Sequence, residues 1–151
     1  MNPNMPLWRR LFTPPVFEDE DKTRTGRTLH TILLIMLGST LFAYFSLIFD
    51  FALVRLIAIS TIVVIELVSF TILHSGRVKQ AALTLCSLSW LVLVAALTVT
   101  GGVDGSAMPV QVLIVLIAGL ILGGSTGLIF AGLSTLAGLG MMIAELNGVL
   151  P

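Results

Sequence analysis

Cysteine occurs once, at Cys86. A disulfide within the chain is therefore impossible, and so is a zinc site built on several thiolates. Cys86 lies in an apolar run, where a small, inert packing residue is expected. Charge is also scarce: 11% of residues are charged and 56% are hydrophobic, against about 25% charged in an ordinary soluble domain. Such a chain cannot cover its own surface with polar groups in water, and a bilayer removes that need. The formal net charge is zero, so nothing points to nucleic acid as a partner. A glycine-rich phosphate loop, paired histidines and a convergent Ser/His/Asp set are all missing. No catalytic residue, metal site or cofactor is expected.

The few charges are strongly clustered. Fourteen of the sixteen lie between Arg9 and Arg27 or at Asp50, Arg55, Arg77, Lys79 and Asp104; the other two are Glu66 and Glu145. The long charge-free stretches between them predict an all-α fold, a polytopic transmembrane helix bundle of about five spans. Residues 1–27 form a juxtamembrane segment and 28–151 the transmembrane domain, with spans at 28–49, 51–73, 80–100, 108–122 and 128–145. About 20 residues cross a bilayer, so the fourth span is short, and a re-entrant segment is the alternative. Gly123-Gly124-Ser125-Thr126-Gly127 separates it from the fifth.

Within the first segment, Pro6–Phe12 mixes aromatic, aliphatic and basic residues, a pattern suited to a membrane surface. In Glu18–Arg24 acids precede bases, with Glu18/Lys22 and Glu20/Arg24 at i,i+4. That order suits a helix start; the plainer alternative is a solvated linker. The segment is polar and acidic before the first apolar run, unlike a cleaved signal peptide.

Arg9, Arg10, Lys22, Arg24 and Arg27 precede the first span, and Arg77 and Lys79 lie between the second and third. Two crossings separate these clusters, so they fall on one side. The positive-inside rule makes that side the cytoplasm of a cell inner (plasma) membrane, with the N-terminus inside and Pro151 outside.

The most informative polar residues share the second span. Arg55 and Glu66 are eleven residues apart, three helical turns, so they lie on one face about 16 Å apart along the axis and cannot pair. Ser69 lies near that face. This stripe is expected to face protein rather than lipid, with Arg55 reaching toward the outer surface. Ser39, Ser87 and Trp90 are candidate partners for Glu66 at similar depth. Glu66 is either a proton or ligand site or a protonated acid that fixes packing. His30 and His74, both at cytoplasmic span ends, are expected to be interfacial polar residues rather than haem or metal ligands. In the last two spans the small residues Gly119, Gly123, Gly132 and Gly138, with Ala118, Ala131, Ala137 and Gly140, predict close helix packing within the chain or between copies, Gly119 and Gly123 sharing a face.

Several stretches also carry a family likeness: Phe17-Glu18-Asp19-Glu20-Asp21-Lys22-Thr23-Arg24 before the first span, Gly76-Arg77-Val78-Lys79 opening the third, Trp90 at its centre, and Thr100-Gly101-Gly102-Val103 closing it. Ala118–Gly123 ends the fourth span and Asn147–Pro151 follows the fifth. In this order they resemble the N-terminal membrane region of bacterial multidomain sensor proteins, chiefly histidine kinases with PAS or GAF modules. The likeness covers roughly residues 17–151. It implies a membrane region that holds signalling modules at the bilayer and passes a signal to them. Such regions usually continue with another span back to the cytoplasm. Here the chain stops, and it has no phosphorylatable His motif or ATP-binding motif. A truncated or stand-alone sensor-type module is expected, and kinase activity does not carry over.

The expected function is thus a non-enzymatic membrane sensor or anchor module of a signalling protein. It would act in the lipid bilayer through helix packing with another membrane protein or as a homo-oligomer. The alternatives are a small transporter or channel-like protein using Glu66, and an accessory subunit of a larger membrane complex.

Overall fold

In the computed structural model, which describes residues 13–46, 53–100 and 108–148, the chain is all α. Among the described residues the helices are α1 (Glu20–Ser46), α2 (Leu53–His74), α3 (Val78–Thr100), α4 (Met108–Leu122) and α5 (Gly124–Leu146). Four of them, α1, α2, α3 and α5, are long and apolar enough to cross a membrane. α4, at fifteen residues, rises only about 22 Å, less than the roughly 30 Å hydrocarbon core. Large apolar side chains are exposed on every helix, among them Phe42, Leu53, Leu91, Leu120 and Leu136. Lipid is the solvent that such a surface requires. This is a multi-pass membrane protein.

The helix ends follow from local chemistry. Asp19 caps α1, its Oδ1 accepting from the backbone N–H of Asp21 at 3.0 Å and of Lys22 at 3.4 Å, the usual remedy for unpaired N–H groups in a first turn. α1 therefore starts eight residues before the expected first span: helix formation begins in the juxtamembrane segment, whose charged residues Glu20, Asp21, Lys22, Arg24 and Arg27 are exposed. α2 is stopped by Gly76, two residues past its end, whose φ of +84° favours glycine. Gly76 N–H donates to the Leu73 carbonyl at 3.0 Å and Arg77 N–H to that of Ile72 at 3.3 Å, the paired bonds of a Schellman stop. Gly123, with φ +101° and ψ 159°, is the single residue between α4 and α5.

Consecutive helices α1–α2, α2–α3, α3–α4 and α4–α5 pack against one another, and α1 also touches α3 and α4. One buried cluster joins α1, α2 and α3 through Leu29, Leu33, Phe70, Leu73, Ala81 and Leu85. A second joins α3, α4 and α5 through Cys86, Leu93, Ile114, Ala118 and Phe130. Both lean on α3, the central helix. The first cluster lies at the end of the bundle that holds the α2–α3 turn; toward the opposite end, Phe42, Phe45 and Leu53 are exposed.

The small residues act differently from their sequence pattern. A methyl group built on Gly127 would stand 2.7 Å from the Gly119 Cα and 3.1 Å from its N, so α4 and α5 touch backbone to backbone there. Gly119 of α4 meets Gly127 of α5. Gly123 has nothing within 4 Å of a Cβ position: its role is the positive-φ turn. Gly132 and Gly140 face open space, and Gly138 is half-buried.

Candidate functional site

Glu66 is 1% exposed, well inside the bundle. It stands eight residues before the end of α2, about 12 Å along the axis. On α2 its face continues with Ser69, Phe70 and His74, at i+3, i+4 and i+8. α1 brings Thr40 across: its Oγ1 lies 2.9 Å from Glu66 Oε1 and 2.8 Å from the Met36 carbonyl. Glu66 Oε2 and the Ser69 hydroxyl, the latter on a fully buried residue, have no hydrogen-bond partner. Nearer the α2–α3 turn the buried His30 of α1 meets Phe70 and His74. Its ring centroid is 5.2 Å from that of Phe70 and 6.0 Å from that of His74, and the Phe70 and His74 rings stack at 4.7 Å. His74 Nδ1 is 3.0 Å from the Phe70 carbonyl. A carbonyl only accepts, so Nδ1 is the donor in this contact.

The sequence placed Glu66 and Ser69 on one buried face and put both histidines at one end of the bundle, and the structure does the same. Two expectations need correction. The partner of Glu66 is Thr40; Ser39 beside it is exposed, turned away by α1. Trp90 bonds elsewhere, its Nε1 donating to Ser134 Oγ of α5 at 2.9 Å. Arg55 is exposed near the start of α2, the end from which it was expected to reach outward. The meeting of His30 with His74 was not anticipated. Two further buried polar groups, Ser89 Oγ and Gln111 Nε2, are without partners.

A second polar region lies at the same end as the histidines. Phe17 folds back along α1, its ring 2.8 Å from a Cβ placed on Gly26 and 3.5 Å from one on Gly76. Thr23 Oγ1 holds the loop, donating to the Phe17 carbonyl and accepting from its N–H, both at 2.9 Å. Lys22 Nζ sits 5.2 Å over the Phe17 ring. Beside this clamp is a cleft of about 500 Å³ lined by Asp21, Lys22, Thr25, Arg77, Lys79 and Gln80, among others. Among the described residues, no three His, Cys, Asp or Glu side chains gather as a metal-binding set.

Two substitutions probe this interior. Trp90→Phe is expected to cost about 1 kcal/mol, a typical interhelical hydrogen bond in a membrane. Ser134→Ala should cost the same and the double variant no more, as read by denaturation in detergent. Glu66→Leu should change stability by less than about 1 kcal/mol: Thr40 keeps the Met36 carbonyl as acceptor, and the substitution removes an oxygen that has no partner. Thermal melting of the detergent-solubilised chain checks this.

Compared with family models, with curated proteins and with solved structures, the chain matches none.

Proposed function

We propose that this chain is a non-enzymatic sensor or anchor module of a bacterial signalling protein. It sits in the inner (plasma) membrane with its N-terminal side in the cytoplasm, and works by helix packing against a partner membrane protein or a second copy. The observation that carries this reading is the clamp at the basic end of the bundle. Phe17 is wedged between Gly26 of α1 and Gly76 of the α2–α3 turn, and Thr23 ties the backbone of Phe17 to the first turns of α1. A shift of α1 against the α2–α3 hairpin is thereby delivered to the segment outside the membrane, which is what a module passing a signal needs. The two stretches that meet here, Phe17–Arg24 and Gly76–Lys79, are two of those on which the resemblance to sensor membrane regions rests. The basic residues Lys22, Arg24 and Arg27 at the start of α1, and Arg77 and Lys79 at the α2–α3 turn, support the orientation.

The test uses the full chain in its membrane. Crosslinking in intact cells should trap a stoichiometric complex, with another copy or with one partner, and vesicles containing the purified chain should show no proton-coupled flux. A strictly monomeric chain that carries such a flux, lost in Glu66→Gln, contradicts the proposal and favours a transporter.

A further inference from the structure

Two clefts at the basic end of the bundle share Asp21, Thr25 and Ile121, so they form one groove. Its first part, about 500 Å³, has the start of α1 on one wall and the α2–α3 turn with the start of α3 on the other. Its second part, about 400 Å³, runs along α1 past Arg24 and Thr28 to Leu120 and Ile121 at the end of α4. Volumes of this size suit a small molecule. The length of α1 sets the groove's depth. Its 27 residues rise about 40 Å, about 10 Å more than the hydrocarbon core. The excess is the charged start, residues 20–27, because the charge-free run begins at Thr28. Asp21 and Thr25 therefore stand among lipid headgroups, and Thr28, Leu120 and Ile121 stand where acyl chains begin. Leu120 is exposed, and the Thr28 hydroxyl is turned back onto the Arg24 carbonyl at 3.1 Å, so this end of the groove presents apolar surface.

The charged end of the groove carries both signs. Lys22 Nζ lies over the Phe17 ring, and one oxygen of Asp19 is taken up in capping α1. Asp21 is the acid that both parts share, and the wall across from α1 supplies Arg77 and Lys79. A simple anion gains from the two cations but meets the Asp21 carboxylate. A group that joins a phosphate to an ammonium answers both signs at once. The ammonium must be a primary one: it has three N–H donors for a carboxylate, whereas a trimethylated ammonium has none and is held by aromatic faces. We propose that this groove binds one phospholipid with a phosphoethanolamine headgroup. The phosphate meets Arg77 and Lys79, the ammonium meets Asp21, and an acyl chain lies along Leu120 and Ile121. The inference goes beyond the sensor reading and stands without it: a chain with no protein partner would still hold the lipid.

Native mass spectrometry of the full chain tests it, with titration in detergent by phosphatidylethanolamine, phosphatidylcholine and phosphatidylglycerol of identical acyl chains. The parent should retain one phosphatidylethanolamine about tenfold more tightly than either of the others. Arg77→Gln and Lys79→Gln should each weaken that binding about fivefold. Asp21→Asn should erase the preference and bring phosphatidylglycerol level with phosphatidylethanolamine or above it. Arg27→Gln, outside both clefts, should leave all three unchanged. Inorganic phosphate and soluble phosphoethanolamine should bind far more weakly, since neither brings an acyl chain to Leu120 and Ile121. The substituted side chains are all exposed, so each variant should fold, and its melting temperature without lipid checks that. Equal retention of the three lipids, a parent that prefers phosphatidylglycerol, or a preference that survives Asp21→Asn overturns the proposal. So does binding that neither Arg77→Gln nor Lys79→Gln weakens. Soluble phosphoethanolamine bound as tightly as the lipid overturns the lipid assignment. The result is independent of crosslinking, so this inference and the sensor reading can fail separately.

Discussion

Gly127→Leu should break the α4–α5 hairpin. A Cβ at Gly127 meets the Gly119 backbone at 2.7 Å, closer than real Cβ contacts come, and backbone cannot swing aside as a flexible side chain can. The helices must separate, and the loss spreads to Phe130 and Ala118, which are buried at the same junction. Overpacking a tight core commonly costs about 1–3 kcal/mol, and a backbone obstacle places this case near the top, roughly 3 kcal/mol. Gly127→Ala should cost less but still be clearly measurable. Gly132→Ala is the control: nothing lies within 4 Å of its Cβ position, so its effect should stay within about 0.5 kcal/mol. Reversible unfolding in mixed detergent reads all three. Equal losses for Gly127→Ala and Gly132→Ala would contradict the account of the hairpin.

Phe17→Ala should release the segment before α1 from the bundle. The ring fills the space between Gly26 and Gly76, and its removal strips apolar contact that no neighbour replaces. For a half-buried phenylalanine the loss is about 1–2 kcal/mol. Because Thr23 then holds a loop with no anchor, the effect should be local. Proteolysis between Thr13 and Asp19 should accelerate roughly tenfold while the helices keep their melting temperature within a few degrees. Thr23→Ala should act in the same direction more weakly, through two lost hydrogen bonds. If the Phe17→Ala segment were as protected as the parent's, the clamp would not be the link between bundle and exterior, and the sensor reading would lose its support.

Much of the fold was legible because charge is expensive in lipid. Apolar runs with few or no charges, bounded by Asp50, Arg77 and Asp104, located the helices, and α4 begins and ends at the residues the sequence indicated. The start of α1 shows the limit. Hydropathy marks where a helix enters lipid, whereas capping by Asp19 decides where it begins. The interior was less legible, since it depends on how each helix is rotated. Ser39 and Thr40 are adjacent in sequence, and a turn of about 100° makes one exposed and the other the partner of Glu66. Gly127 was missed for a related reason. The search for small residues at i,i+4 reads one helix at a time, but Gly119 and Gly127 face each other across a hairpin, each four residues from Gly123. Symmetry about that turn was the signal that would have found them. Phe17 left no such signal, because its contacts join the start of α1 to the distant α2–α3 turn.

Everything rests on lipid as the solvent for the exposed apolar faces. The most direct measurement is nitroxide labelling at Leu120, Leu128, Leu136 and Ile143 in bilayers, with relaxation by oxygen compared against a water-soluble nickel complex. These labels should respond strongly to oxygen and hardly to nickel, while a label at Lys79 should respond to nickel. Strong nickel relaxation at Leu128 and Leu136, or a monodisperse chain in water without detergent, would contradict it.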